Sequence, residues 1–154
     1  MLLARILTVS DGVFIGSRED RGGPALRALL EEAGFSIDRH DVASDGVDEV
    51  ADALRALTEG FAGLIVSTGG TGFSPRDLTP EATRTVIQRE APGLAEAMRL
   101  VNPAGRLSRG VAGIVGQAIV INVPGSVGGA TECLSAVIDV IPHALDLLVG
   151  GNPH

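Results

Sequence analysis

Lysine, tryptophan and tyrosine are absent from this sequence, and cysteine occurs once. Each absence removes a class of function. A chain without lysine cannot build the GxxxxGK[ST] phosphate loop, whose lysine reaches the β- and γ-phosphates. The aromatics reduce to Phe14, Phe35, Phe61 and Phe73, and 12 arginines face 19 acidic residues for a net charge of −7. Nucleic-acid binding calls for a basic face and stacking rings, so it is excluded as the expected role. Cys133 alone cannot form an internal disulfide, which fits a reducing compartment, and it reads as a small buried hydrophobe. Long apolar runs are missing too. The start Met1-Leu2-Leu3-Ala4-Arg5-Ile6-Leu7 lacks a basic flank and stops at Ser10-Asp11. It is too short to span a bilayer and reads as a buried strand rather than a leader. The expectation is a cytoplasmic protein with neither nucleic acid nor membrane as partner.

What is present is aliphatic. Hydrophobic residues make up 45% of the 154 positions, enough for one domain, expected over residues 1–154, with a substantial core. Continuous apolar runs at 2–9, 35–42, 63–67 and 118–121 read as buried strands. Between them lie helical patterns. Pro24 opens a helix with Leu26, Leu29 and Leu30 on one face, closed by Gly34. Asp45-Gly46 precedes a second, with Val47, Val50, Leu54 and Leu57 apolar. Thr79-Pro80-Glu81 starts a third, with Thr79 as cap, predicted to run to about Glu90 and to resume after Pro92. Leu134 to Leu148 reads as one last helix kinked at Pro142. Alternating strands and helices predict an α/β domain with a mostly parallel sheet covered on both faces.

Ligands of such sheets sit beyond the carboxyl ends of the strands. Four strand ends finish in polar or glycine-rich turns: Ser10-Asp11-Gly12, Ser44-Asp45-Gly46, Thr68-Gly69-Gly70-Thr71-Gly72, and Asn122-Val123-Pro124-Gly125-Ser126. The glycine loop permits positive φ and close backbone approach, and its N–H groups suit an anion, with the hydroxyls of Ser67, Thr68 and Thr71 as further donors. It is not a dinucleotide fingerprint, because Pro75 takes the place of the last glycine of GxGxxG. Asp11, Asp45 and Asp77 stand beside it. Asp45 is equally a candidate helix cap, and Asp11 a turn former. Carboxylates next to a phosphate cradle repel the ligand unless a cation intervenes. Mg²⁺ held by one or two carboxylates and phosphate oxygens satisfies both. Arg76, Arg106 and Arg109 flank the loops.

TGGTG, then Asp77-Leu78-Thr79-Pro80-Glu81, Leu107-Ser108-Arg109 and the NVPG turn, in that order, resemble the MogA/MoaB family of molybdenum cofactor biosynthesis. Ser10-Asp11 and Pro92 to Arg99 extend the likeness over nearly the whole chain, in a compact MoaB-like form. The resemblance implies a three-layer α/β/α fold, a homotrimer or homohexamer, and Mg-ATP-dependent adenylylation of molybdopterin with release of pyrophosphate. It implies that Asp45 and Asp77 are the catalytic, metal-holding pair. Ser10, Asp11, Ser67, Thr68, Gly69, Gly70, Thr71 and Gly72 are implied as binding residues. So are Ser108, Arg109, Asn122, Pro124, Gly125 and Ser126. Where many relatives follow the NxPG turn with Pro or Lys, this chain continues Ser126-Val127-Gly128-Gly129. A carrier of molybdopterin or nucleotide without transferase activity is the alternative function. A molybdenum-insertion or nucleotide-cleaving domain is a third.

Overall fold

A computed structural model describes residues 1–151 of the chain. The apolar runs become strands β1 (Leu2–Val9), β2 (Phe35–Ala43), β3 (Gly63–Thr68) and β6 (Ala118–Val123), all mutually parallel. β4 (Arg89–Glu90) and β5 (Ala112–Val115) extend one edge, giving the order β2-β1-β3-β6-β5-β4 with β5 antiparallel to both of its neighbours.

Side-chain alternation sorts the core into two layers. Ile6, Leu64, Val66, Ile119 and Ile121 point to one face, where helices α2 (Gly22–Glu32), α5 (Pro92–Leu100), α6 (Val127–Ser135) and α7 (Ile141–Leu148) cover them. Leu7, Val9, Ile65 and Val120 point to the other, beneath α3 (Val47–Thr58) and α4 (Thr79–Val86). Residues on successive positions of a strand serve opposite layers, so near-continuous apolar runs are what a sheet covered on both faces requires. The three-layer α/β/α arrangement expected from the sequence is the one observed.

Four local expectations are corrected. Thr79 does not cap α4; its buried hydroxyl donates instead to the Gly69 carbonyl at 3.0 Å. The helix stops at Val86, because the chain turns extended to pair Arg89–Glu90 with β5. The last helical stretch is two helices, not one kinked one: α6 ends at Ser135, and Pro142 sits in the first turn of α7. There its missing N–H costs nothing. Finally, the turn after β1 contains a short helix, α1 (Asp11–Ile15), capped by the Ser10 hydroxyl, which accepts from the Val13 N–H at 3.3 Å.

β1 and β3 are neighbours in the sheet, yet β1 leads outward to β2 while the chain from β3 crosses to β6. This is the switch point of the topology, where a crevice opens at the strand ends. The glycine loop follows β3 directly into it.

Candidate functional site

The loop is built to lie against its neighbours. Gly69 and Gly70 have φ of 102° and 68°, a region that disfavours side chains, and a Cβ on Gly69 would stand 2.1 Å from the Val9 carbonyl oxygen. Glycine is needed here for both reasons. The Gly69 N–H donates to the Val123 carbonyl at 3.1 Å, and the Thr68 hydroxyl donates to the Pro124 carbonyl at 2.8 Å. These two bonds fasten the loop to the NVPG turn. They also mean that the first N–H of the loop is occupied internally. The N–H groups of Gly70, Thr71 and Gly72 make no hydrogen bond among the described residues, and they are the ones left for an anion.

Behind the loop runs a buried polar seam. The Asn122 amide donates to the hydroxyls of Ser67 (2.8 Å) and Thr83 (3.0 Å), while its oxygen accepts the Val111 N–H at 3.1 Å. Ser67 and Asn122 are almost fully buried, so both support the loop from within. Arg109 does the same from outside. Its guanidinium donates to the Gly72 carbonyl (2.8 Å), both Glu81 carboxylate oxygens (2.9 Å) and the Asp77 carbonyl (2.5 Å). The hydrogen bond from Arg109 holds the Glu81 carboxyl below its ordinary pKa. Ser108 lines the wall nearby, and the hydroxyl of Ser126 caps α6 by accepting from the Gly129 N–H at 3.1 Å.

The three carboxylates converge, with different partners. Asp11 and Asp45 exchange backbone-to-carboxylate bonds, the Asp11 N–H donating to Asp45 at 3.0 Å and the Asp45 N–H to Asp11 at 3.1 Å. Arg76 grips Asp11 with two donors at 2.6 and 3.0 Å and reaches the Asp45 carbonyl at 2.9 Å. That ion pair lowers the Asp11 pKa. Asp45 behaves oppositely. Partial burial pushes its carboxyl upward, and the nearby charges of Asp11 and Asp77 add to this. Asp45 is no helix cap: Gly46 occupies that position, and no side chain bonds the first turn of α3.

Asp45 and Asp77 share a design. Oδ2 of Asp45 is tied to the Asp11 N–H, and Oδ2 of Asp77 accepts the Ser74 N–H at 3.0 Å. Each therefore keeps Oδ1 clear of these backbone bonds, and Asp45 Oδ1 is directed at the loop, 3.2 Å from where a Gly70 Cβ would stand. Among the described residues no three His, Cys, Asp or Glu side chains form a metal cage. The donor set fits Mg²⁺ completed by phosphate oxygens and water.

Two cavities flank the loop. One, of about 600 Å³, runs from Ser10 past Asp20, Arg21, Asp45 and Gly69. The other, of about 590 Å³, has a more apolar wall that includes Met98, Val101 and Leu107. Gly70, Asp77, Gly125 and Ser126 belong to both. Of the residues nominated from sequence, the structure gathers Ser10, Asp45, Thr68, Gly69, Gly70, Asp77, Gly125 and Ser126 on the first cavity. Thr71, Gly72, Ser108 and Pro124 lie on the second. Asp11, Ser67, Arg109 and Asn122 line neither; Asp11 is bonded to Asp45, Arg109 to the Gly72 carbonyl, and Asn122 to Ser67 and Thr83. Sequence reasoning gives no site role to Asp20, Thr8 and His40, which form a bonded cluster whose Thr8 and Asp20 line the first cavity. Their signal is weak, since Thr8 and His40 meet through the register of β1 and β2 and Asp20 joins them from the connector between α1 and α2.

Known proteins share this fold. A family described as a probable molybdopterin-binding domain matches residues 5–143. A curated molybdopterin adenylyltransferase of Helicobacter pylori strain J99 is 37% identical over 152 residues, covering 94% of this chain and 86% of the relative. The crystal structure of the molybdopterin biosynthesis enzyme MoaB from Thermus thermophilus superposes with a TM-score of 0.91 at 46% identity, over 100% of both chains. The molybdopterin biosynthesis Mog protein of Mycobacterium ulcerans gives 0.89 at 40% identity, over 96% of this chain and 99% of that one. Matched over most of its length in sequence and in fold alike, this chain belongs to the MogA/MoaB family of molybdenum cofactor biosynthesis.

Proposed function

We propose that the protein transfers the adenylyl group of ATP to molybdopterin, with Mg²⁺ held at Asp45 and Asp77 and pyrophosphate released. The observation that carries this reading is the pair of cavities meeting at Gly70 and Asp77. A transfer between two bulky reactants needs two compartments with the reacting phosphates at their junction, and the junction here carries Gly70 of the loop and Asp77, with Asp45 on the wall of the first cavity.

The terminal phosphate of molybdopterin attacks the α-phosphorus of ATP. One P–O bond forms to it, and the bond to the pyrophosphate oxygen breaks. The attacking oxygen is already anionic, so no side chain need remove a proton. The N–H groups of Gly70, Thr71 and Gly72 bind phosphate oxygens, and Asp45 and Asp77 fix the geometry through their anchored oxygens. Mg²⁺, when bound, neutralises charge on the transferring group. Alignment of two reactants supplies on the order of 7–11 kcal/mol of the barrier. Arg109, Asn122 and Ser67 are positioning residues that keep the loop in shape.

Among the described residues no helix is long and apolar enough to cross a membrane. The reaction is assigned to the cytoplasm on the strength of the single unpaired cysteine. Exposed Phe14 and Ile15 on α1 leave apolar surface, in keeping with a homotrimer or homohexamer. The test is direct. Purified protein is mixed with molybdopterin, ATP and Mg²⁺, and pyrophosphate and adenylylated pterin are followed. Product must form in wild type and vanish in Asp77→Asn while the circular dichroism spectrum stays unchanged. Tight pterin binding without product would instead identify a carrier.

A further inference from the structure

Apart from the acidic residues already described, one cluster of polar and titratable side chains links the sheet to the first cavity. It comprises Thr8 at the end of β1, Asp20 in the connector between α1 and α2, and His40 on β2. Thr8 is 4% exposed. Its hydroxyl lies 2.7 Å from Asp20 Oδ2 and 2.9 Å from His40 Nε2, and that nitrogen is 3.4 Å from the same Asp20 oxygen. A hydroxyl has one proton to give, and an ionised carboxylate can only accept. The Thr8 proton therefore goes to Asp20, and the Thr8 oxygen accepts from His40. Neutral His40 must carry its proton on Nε2.

The chain continues into α2. Asp20 Oδ1 accepts the Gly23 N–H at 2.9 Å, inside the first turn of that helix. Gly23 has no room for a side chain, since a Cβ there would stand 2.3 Å from His40 Cε1. Gly22 in turn lies against Thr68 and the Gly125 carbonyl, with a Cβ position 3.2 and 3.6 Å from them. The helix start is thus wedged between the cluster and the phosphate loop. Burial, aided by Arg27, lowers the His40 pKa against the pull of Asp20 and Asp41. Arg18 and Arg21, on the segment that Asp20 anchors, line the first cavity. Arg21 is paired with Glu19 of the same wall at 3.7 Å, and two arginines on the wall of a cavity that reaches the glycine loop suit an anionic substrate.

We propose that the Thr8–Asp20–His40 chain is a positioning device that holds the Arg18–Arg21 segment and the first turn of α2 as the outer wall of the first cavity. It sets the affinity for the phosphate-bearing substrate seated there. It leaves the transfer itself to the loop and to Asp45 and Asp77. The inference rests on the proposed adenylyl transfer for its substrate, and on geometry alone for the hydrogen-bonded chain.

Two measurements test it. Nitrogen-15 NMR of the His40 ring must show the Nε2–H tautomer in wild type. Kinetics then compare Thr8→Val, which keeps shape and removes the hydroxyl, with Thr8→Ser, which keeps the hydroxyl. In Thr8→Val the KM for one substrate, MgATP or molybdopterin, rises about tenfold, the loss expected from one charge-assisted hydrogen bond. The kcat and the other KM stay within about twofold, and Thr8→Ser restores the wild-type KM. An Nδ1–H tautomer overturns the hydrogen-bonded chain. A kcat loss with neither KM changed, or a lowered melting temperature with both constants intact, overturns the positioning role. If wild type shows no turnover, the adenylyl-transfer reading fails. Calorimetric binding of MgATP and of molybdopterin to the same variants then decides the positioning role by the same tenfold criterion.

Discussion

Gly70 shows how tightly single residues are specified at the site. Its φ is 68°, and a Cβ would stand 2.2 Å from the Thr79 hydroxyl and 3.2 Å from Asp45 Oδ1. Gly70→Ala should destabilise the fold by about 1–3 kcal/mol, read as a lower urea midpoint, and should displace Asp45. Asp45 itself is held at a cost. A carboxyl with a raised pKa in the folded protein contributes stability below the ordinary carboxylate range and loses it as pH climbs through the raised value. At neutral pH its charge therefore opposes folding. Asp45→Asn, whose side-chain oxygen still accepts the Asp11 N–H, should raise the melting temperature at pH 7. That gain should shrink toward zero in acid, and adenylyl transfer should be lost. Stability given up for a charged site is a common trade at catalytic positions. Asp11, Asp45 and Asp77 can be nominated from residue type and loop context, and it is the family resemblance that singles out Asp45 and Asp77. The role of Arg109 cannot, since its partners, Gly72, Asp77 and Glu81, are set by folding.

Among the elements, legibility follows the length of the run and the absence of rivals. The strand over Gly63–Thr68 is plain, because an unbroken aliphatic stretch ending in glycines has few alternatives. β5 escapes a sequence reading: four residues with Gly113 among them carry little signal, and their strand state depends on pairing with β6. The division between α6 and α7 is hidden because apolar spacing continues through it, so that Pro142 reads as a kink. Thr79 resembles a cap because its type and place are right. The tertiary contact to Gly69 wins. The Asn122 seam ties β6, β3, α4 and the segment before β5 together through three short bonds. Asn122→Leu would leave the Val111 N–H unpaired. It should cost about 1–3 kcal/mol by thermal or urea unfolding. The loop should loosen with it, seen as faster amide exchange at Gly69.

At the scale of the whole molecule, charge and fold combine. The protein carries a net charge of −7, and its three acidic site residues stand at the carboxyl ends of a parallel sheet. A divalent cation that binds the folded state alone must stabilise it by mass action. At a free Mg²⁺ concentration about ten times its dissociation constant, the gain is about 1.4 kcal/mol. Thermal scans with and without Mg²⁺ should show this rise in wild type and not in Asp77→Asn. The layer order, and the placing of the site at the carboxyl ends of the strands, are readable from the alternation of strand and helix. The strand order is not, because nothing local in the sequence says that β3 lies between β1 and β6.

The wall shared by the two cavities, formed by Gly70, Asp77, Gly125 and Ser126, has a thermodynamic corollary. Whatever one occupant does to this wall, the other occupant meets. The factor by which a filled first cavity changes affinity in the second must equal the factor measured in the reverse order. Under the proposed transfer both occupants are anions, which across so thin a partition would disfavour each other, and a cation between the acidic residues would reverse the sign. On the proposed transfer the site would then be a heterotropic pair whose cooperativity is set by metal, and the order of substrate addition would be a property of Asp77 as much as of either ligand.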